Sequence, residues 1–141
     1  MIGYLLDTNA LSESPKSQPN PGFIEWLKAV DQRSLYTSCI VLGEIQKGIG
    51  LQVSVLKRMH LESLLAEIID DFDGRILDVM KDDCLLWGDL FSRGMQVGKT
   101  PPAIDSLLAA QCIRNKLTLV TRNIKDFEQF DGLDIFCPWT N

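Results

Sequence analysis

Histidine is nearly absent from this chain: among 141 residues only His60 carries an imidazole. That excludes a nuclease built on two histidines, and a Ser-His-Asp triad would have to rest on His60 alone. There is no G-x-x-x-x-G-K-[ST] loop and no G-x-G-x-x-G turn, so the two common phosphate cradles are missing. No apolar run approaches the roughly 18 residues a membrane helix needs. Asp7 interrupts the N-terminus before a signal-peptide core could form, and no basic segment precedes it. The four cysteines, Cys39, Cys84, Cys112 and Cys137, include no C-x-x-C pair. They read as buried, reduced thiols of a cytoplasmic protein and exclude a zinc cluster or disulfide framework. A basic excess is missing too. The formal net charge is −5, with 14 Lys and Arg against 19 Asp and Glu, which gives no help to a phosphate-rich ligand.

What remains is an ordinary globular composition, 45% hydrophobic and 23% charged, of a length that fits one domain over residues 1–141. Within it the placement of a few acids is informative. Asp7 ends the apolar run Ile2-Gly3-Tyr4-Leu5-Leu6 and is followed by Thr8-Asn9-Ala10. Late in the chain Leu117-Thr118-Leu119-Val120 ends in Thr121-Arg122-Asn123, with Asp126 three residues on. Open α/β sheets collect ligands in the crevice beyond such strand ends. Glu44 and Asp105 lie between the two runs, each in an apolar helical context. Four such acids point to a hard-cation site. Setting them aside leaves 15 acids against 14 bases, so the net charge does not exclude a phosphate-bearing substrate.

Periodicity predicts strands near residues 2–6, 34–37, 75–79, 118–120 and 134–136. Between them it predicts a helical turn at 10–13, a Pro/Ser-rich loop at 14–21, and helices at 22–31, 40–52, 54–70, 81–97, 103–116 and 125–129. Gly43, Gly48 and Gly50 weaken the helix over 40–52 and leave room there for close approach. Gly98 is placed to cap the long helix before it. Strands separated by helices argue for a mostly parallel sheet covered on both faces.

Each acid also has a plain structural reading. Asp7 can cap a turn, and Asp105 can complement a helix dipole just after Pro101-Pro102. Glu44 can pair with Lys47 one turn on, and Asp126 can close a capping box with Asn123. Against these readings stands context. The segment Ile104 to Ile113 is apolar nearly all round, and a carboxylate entering such a helix needs a partner. The denser runs Asp70-Asp71-x-Asp73 and Asp82-Asp83 serve as controls, read as solvated turns and caps. Trp26, Trp87 and Trp139 read as core or interface anchors.

Taken in order, Asp7-Thr8-Asn9, Gly43-Glu44-Ile45-x-x-Gly48, Asp105-x-x-x-Ala109-Ala110 and Thr121-Arg122-Asn123-x-x-Asp126-Phe127 resemble the PIN-domain ribonucleases. More closely they resemble the VapC and FitB toxins of bacterial toxin–antitoxin pairs, and the likeness spans nearly the whole chain, through Trp87-Gly88 to Pro138-Trp139. The resemblance implies a five-stranded parallel sheet in the order 3-2-1-4-5. It places the family's metal-site acids on Asp7, Glu44, Asp105 and Asp126, oriented by Thr8, or by Thr121 and Asn123. It further implies an RNA substrate, a small DNA-binding antitoxin as partner, and a homodimer; the apolar stripe of Cys84, Leu85, Trp87, Leu90, Phe91 and Met95 reads first as core packing and in part as a surface for that homodimer.

Carboxylate donors without His or Cys select Mg²⁺ or Mn²⁺, and such ions polarise a phosphoryl oxygen and activate water without a protein base. Arg122, Lys47, Lys99 and Lys16 are candidate phosphate contacts. Two rivals remain at this level. A haloacid-dehalogenase-like phosphatase also begins with a strand-end Asp, but it needs a second acid where Asn9 stands. A non-catalytic PIN-like binding module would share the fold, and retention of all four acids argues against it.

Overall fold

The computed structural model describes residues 2–141. Its elements alternate along the chain: β1 (Gly3–Leu6), α1 (Thr8–Leu11), α2 (Pro21–Ala29), β2 (Leu35–Ser38), α3 (Cys39–Leu51), α4 (Val55–Asp71), β3 (Ile76–Leu77), α5 (Lys81–Gln96), α6 (Ala103–Asn115), β4 (Leu117–Val120), α7 (Ile124–Phe127) and β5 (Ile135–Phe136). The five strands form one sheet in the order β3-β2-β1-β4-β5, and every neighbouring pair is parallel. Parallel strands require crossovers, which the helices supply while burying the sheet.

Local sequence explains where the elements start. Asn20 accepts from the Phe23 N–H at 3.1 Å, and Pro21 follows at the first helical position of α2. Ser38 and Ser54 cap α3 and α4 in the same manner. At the far end of α6, Lys116 takes the left-handed conformation (φ 54°) and turns the chain directly into β4.

The two central strands, β1 and β4, pair in register from Gly3–Leu117 to Leu6–Val120. A Cβ on Gly3 would stand 2.6 Å from the tip of the Leu117 side chain, so glycine here lets that leucine lie against β1. In both strands burial deepens toward the C-terminal end: Leu5, Leu6, Leu119 and Val120 are core residues. Asp7 and Thr121 come next in line, and both are buried.

The C-terminal segment is fastened across the molecule by a buried acid. Glu13, only 2% exposed, accepts from Trp139 Nε1 at 2.7 Å, the Asn20 N–H at 3.0 Å and Lys16 Nζ at 3.1 Å. Asn20 in turn donates to the Thr140 carbonyl at 2.6 Å and accepts from its N–H at 3.0 Å. A Cβ on Gly22 would lie 2.8 Å from the Pro138 carbonyl, so this approach also needs a glycine. Phe23 and Trp139 close the contact with ring centroids 4.8 Å apart.

Several readings of the sequence need correction. Asp83 is fully buried, not solvated. It accepts from the Met80 N–H at 2.8 Å and pairs with Arg114 Nε, joining the start of α5 to the last turn of α6. The cysteines divide: Cys112 is buried, Cys39 and Cys137 are half-buried, and Cys84 is exposed. Helix α3 runs unbroken through its glycines, and a Cβ on Gly43, Gly48 or Gly50 would meet nothing within 4 Å, so no close approach uses them within the chain. The apolar stripe of α5 splits as well: Leu90 is core, Trp87 and Phe91 are half-buried, and Cys84, Leu85 and Met95 are exposed. His60 is exposed on α4, and Asp70, Asp71, Asp73 and Asp82 are exposed as anticipated.

Two predictions follow from the buried acids. The hydrogen bond from Trp139 is the main cause that lowers the Glu13 carboxyl from 4.5 to about 2. A depressed acid stabilises the fold above its unfolded value and loses that contribution as pH falls through the folded one. Acid titration of the melting temperature should therefore steepen between about pH 4.5 and 2, and Glu13→Gln should flatten that window. Separately, Asp83→Asn should lower the melting temperature by several degrees, because it leaves Arg114 unpaired against a buried site. Exposed Asp82→Asn should leave it unchanged; equal melts for both variants would contradict the buried-pair assignment.

Candidate active site

Asp7 lies one residue past β1 and is 6% exposed. Its position is over-determined. The Thr8 backbone N–H donates to Oδ1 at 2.6 Å, as at a helix N-cap. Thr121 Oγ1, from just beyond β4, donates to Oδ2 at 3.0 Å, and Asn9 Nδ2 donates to the same oxygen at 3.3 Å. Asn9 also accepts from the Arg122 N–H at 3.0 Å, and Thr121 Oγ1 accepts from the Asn123 N–H at 3.1 Å. Two backbone ends of neighbouring parallel strands are thus clamped around one carboxylate.

Burial pushes the Asp7 carboxyl above its ordinary value. The hydrogen bonds from Thr8, Thr121 and Asn9 oppose this, and the charge of Asp126 adds to it. The same pattern links the other acids. Glu44, on α3, is raised first by burial and then by the charges of Asp7 and Asp105, with Lys47 countering. Asp105, in the first turn of α6, is raised by burial and by Asp7 and Asp126. Asp7, Glu44 and Asp105, from three different parts of the chain, are therefore each raised by burial and by the charge of at least one other acid, with Asp126 acting on Asp7 and Asp105.

The four acids differ in exposure. Asp7 is buried, Glu44 and Asp105 are half-buried, and Asp126 is exposed on α7. Glu44 forms no ion pair with Lys47, and Asn123 makes no side-chain cap for α7. The plain readings of those two acids therefore lack their partners. Thr8 contributes its backbone N–H, while its buried hydroxyl has no hydrogen-bond partner. Asn123 likewise acts through its backbone, and only Thr121 uses a side-chain hydroxyl on Asp7. Asn9, whose side chain joins Asp7 to the Arg122 backbone, is the orienting residue that the sequence reading does not assign. Its place two residues after Asp7 was the available signal.

Among the described residues, no three His, Cys, Asp or Glu side chains stand close enough to enclose a metal by themselves. That suits a hard cation which keeps several waters and takes only one or two protein carboxylates. It does not suit a closed tetrahedral cage. The donors are all oxygens, and their mutual repulsion is what a divalent cation relieves. Cys112 lies beneath them in the core; burial pushes its thiol up, so it offers no thiolate ligand.

The parallel order β3-β2-β1-β4-β5, with helices between the strands and Asp7 buried beside the switch between the first and fourth, defines an open α/β protein. The chain belongs to the PIN domain family, whose profile matches residues 4–133. Toxin FitB of Neisseria gonorrhoeae is 32% identical over 136 residues, covering 96% of this chain and 97% of that protein. VapC ribonuclease Y4jK of Sinorhizobium fredii is 29% identical over 136 residues, or 96% of each chain. Among solved structures, FitAcB from N. gonorrhoeae superposes with a TM-score of 0.86 at 31% identity, covering 98% of this chain and 99% of that one. VapBC2 from Rickettsia felis, bound to a DNA fragment from their promoter, superposes with a TM-score of 0.78 at 27% identity, covering 99% of this chain and all of that one.

Proposed function

We propose that this protein is a metal-dependent endoribonuclease and the toxin of a toxin–antitoxin pair. The observation that carries the reading is Asp7, buried past the end of β1 and fixed by Asn9 and by Thr121 from the end of β4, with its charge felt by Glu44 of α3 and Asp105 of α6. The family supports it, as do relatives named as a toxin and as a ribonuclease.

Asp7, Glu44, Asp105 and Asp126 are the residues that would hold Mg²⁺ or Mn²⁺, one or two of them directly and the others through the ion's bound water. When bound, the ion supplies a polarised phosphoryl oxygen, a more acidic water and charge compensation at the leaving oxygen. The chain's own contribution is to hold the donors still. Thr121, Asn9 and the Thr8 N–H fix both oxygens of Asp7, so its orientation is set before any ligand arrives. The overall reaction is addition of water across an RNA P–O3′ bond. Hydroxyl goes to phosphorus and a proton to O3′, leaving a 5′-phosphate and a 3′-hydroxyl.

The partner we assign is a small DNA-binding antitoxin, a reading supported by the VapBC2–promoter DNA complex of the relative. Two apolar surfaces are open for association. Leu51, Val53, Val55, Leu56, Met59 and Ile69 are exposed on and between α3 and α4, where an amphipathic partner helix could pack. Leu85 and Met95 are exposed on α5, within the stripe we assign in part to a homodimer. No helix among the described residues is long and apolar enough to cross a membrane.

Three measurements test this reading. Thermal melts with EDTA and with millimolar Mn²⁺ should differ, with a stabilisation of about 2.7 kcal/mol at a hundredfold excess over Kd, and Asp7→Asn should shrink the shift. Superimposable melts would remove the metal site. Asp105→Asn should abolish Mg²⁺- or Mn²⁺-dependent RNA cleavage with folding retained, whereas Asp82→Asn stays active; the reverse result would mean the wrong acids. Expression alone should slow bacterial growth, with relief by Asp7→Asn and by co-expression of the adjoining small protein. Unimpaired growth with abundant soluble wild-type protein would favour a binding module.

A further inference from the structure

Two cations, Arg122 and Lys125, stand beside Asp126 and belong to no ion pair among the described residues. The ion pairs among the described residues are Lys16–Glu13, Arg33–Asp31, Arg58–Glu62 and Arg114–Asp83, so neither Arg122 nor Lys125 belongs to one. Both are exposed, and with Asn123, Ile124 and Asp126 they line an open hollow of about 470 Å³. The hollow therefore adjoins one of the four converging acids and carries two positive charges against one negative.

The backbone beneath this hollow is tied to Asp7. The Arg122 N–H donates to Asn9 Oδ1 at 3.0 Å, while Asn9 Nδ2 holds Asp7 Oδ2 at 3.3 Å. The Asn123 N–H is held by Thr121 Oγ1 at 3.1 Å, the same hydroxyl that donates to Asp7. One hydrogen-bond network thus sets the carboxylate and the root of the cationic segment together. In a chain of net charge −5 an approaching polyanion is repelled overall, and most of all by the acids. Local, unpaired cations at a fixed offset from the acids are what such a ligand requires.

We infer that the Arg122–Lys125 hollow is a backbone phosphate subsite that seats the nucleotide next to the scissile phosphate of a single-stranded RNA. This inference rests on the ribonuclease reading and adds to it the direction from which the substrate strand enters the crevice. Arg122 offers a planar fork for two phosphate oxygens and Lys125 a compact point charge. Because both act on phosphate, the subsite registers the strand without selecting its sequence.

The test compares Arg122→Gln/Lys125→Gln with a control, Lys28→Gln/Lys116→Asn. Lys28 closes α2 and Lys116 precedes β4, so both lie at the opposite, N-terminal end of the strands, and asparagine tolerates the left-handed conformation of Lys116. With a labelled mixed-sequence RNA oligonucleotide in Mg²⁺, loss of two phosphate contacts should raise KM roughly tenfold and reduce the salt slope by about 1.4. Turnover at saturation should stay within about twofold of wild type, as for a lost uniform binding interaction. The control should match wild type, and all proteins should melt alike.

Fluorescence anisotropy with the same RNA, in an Asp105→Asn background, should show the same loss of affinity. Wild-type KM and salt slope in the double variant would overturn the subsite, as would a fall in turnover at unchanged KM. Loss of antitoxin capture with RNA binding intact would reassign the hollow to the protein partner. If wild type does not cleave RNA in Mg²⁺ or Mn²⁺, the ribonuclease reading fails, and the anisotropy comparison still decides whether the hollow binds RNA.

Discussion

Like-charge convergence around Asp7 is the constraint on which the arrangement of this molecule turns. A carboxylate that is buried and within reach of other acids' charge is disfavoured by desolvation and by repulsion. The fold holds it through bonds that are already made: a backbone N–H, a threonine hydroxyl and an asparagine amide. Deprotonation of such raised acids costs the fold stability, so without a counter-charge their contribution is lost as pH rises through the folded values. Glu13 behaves oppositely, its buried charge satisfied by three donors from residues 16, 20 and 139. The difference is that the donors of Glu13 include the Lys16 cation, whereas those of Asp7 are all neutral.

Sheet topology is what makes the convergence possible. In the order β3-β2-β1-β4-β5 the connections leave β1 and β4 toward different sides, which opens a crevice at their ends. Asp7 comes from the first strand, and Thr121, Arg122 and Asp126 follow the fourth. Glu44 and Asp105 arrive from the helices α3 and α6. Asn9 and Thr121 bridge the two strand ends, so the geometry of the crevice is not left to loop conformation.

Elsewhere charged groups serve the frame. Asp83 caps α5 and meets Arg114 of α6, and Trp87 Nε1 donates to Ser106 Oγ at 3.0 Å across the same pair of helices. Ser106 Oγ lies 2.9 Å from the carbonyls of Pro102 and Ala103, so the turn that carries Asp105 is fastened from its neighbour. This explains why an acid in a helix start can be structural at residue 83 and a site candidate at residue 105. What differs is whether the fold brings it a cation.

The sequence by itself determined the element order, because strand and helix periodicities are local and the apolar runs before Asp7 and Thr121 are unambiguous. It also marked the four acids, since a carboxylate beside an apolar element is conspicuous, and it brought them together only through a family resemblance. Pairing of distant side chains was decided by the tertiary structure alone. Nothing near Asp83 announced Arg114, 31 residues on. Nothing near Glu13 announced Trp139, 126 residues away. The bond from the Arg122 backbone to Asn9 spans 113 residues and is equally invisible in the chain. Hydrophobic patterning reports which face of an element is buried. It carries no record of which polar group will be waiting there, because that depends on how separate elements pack.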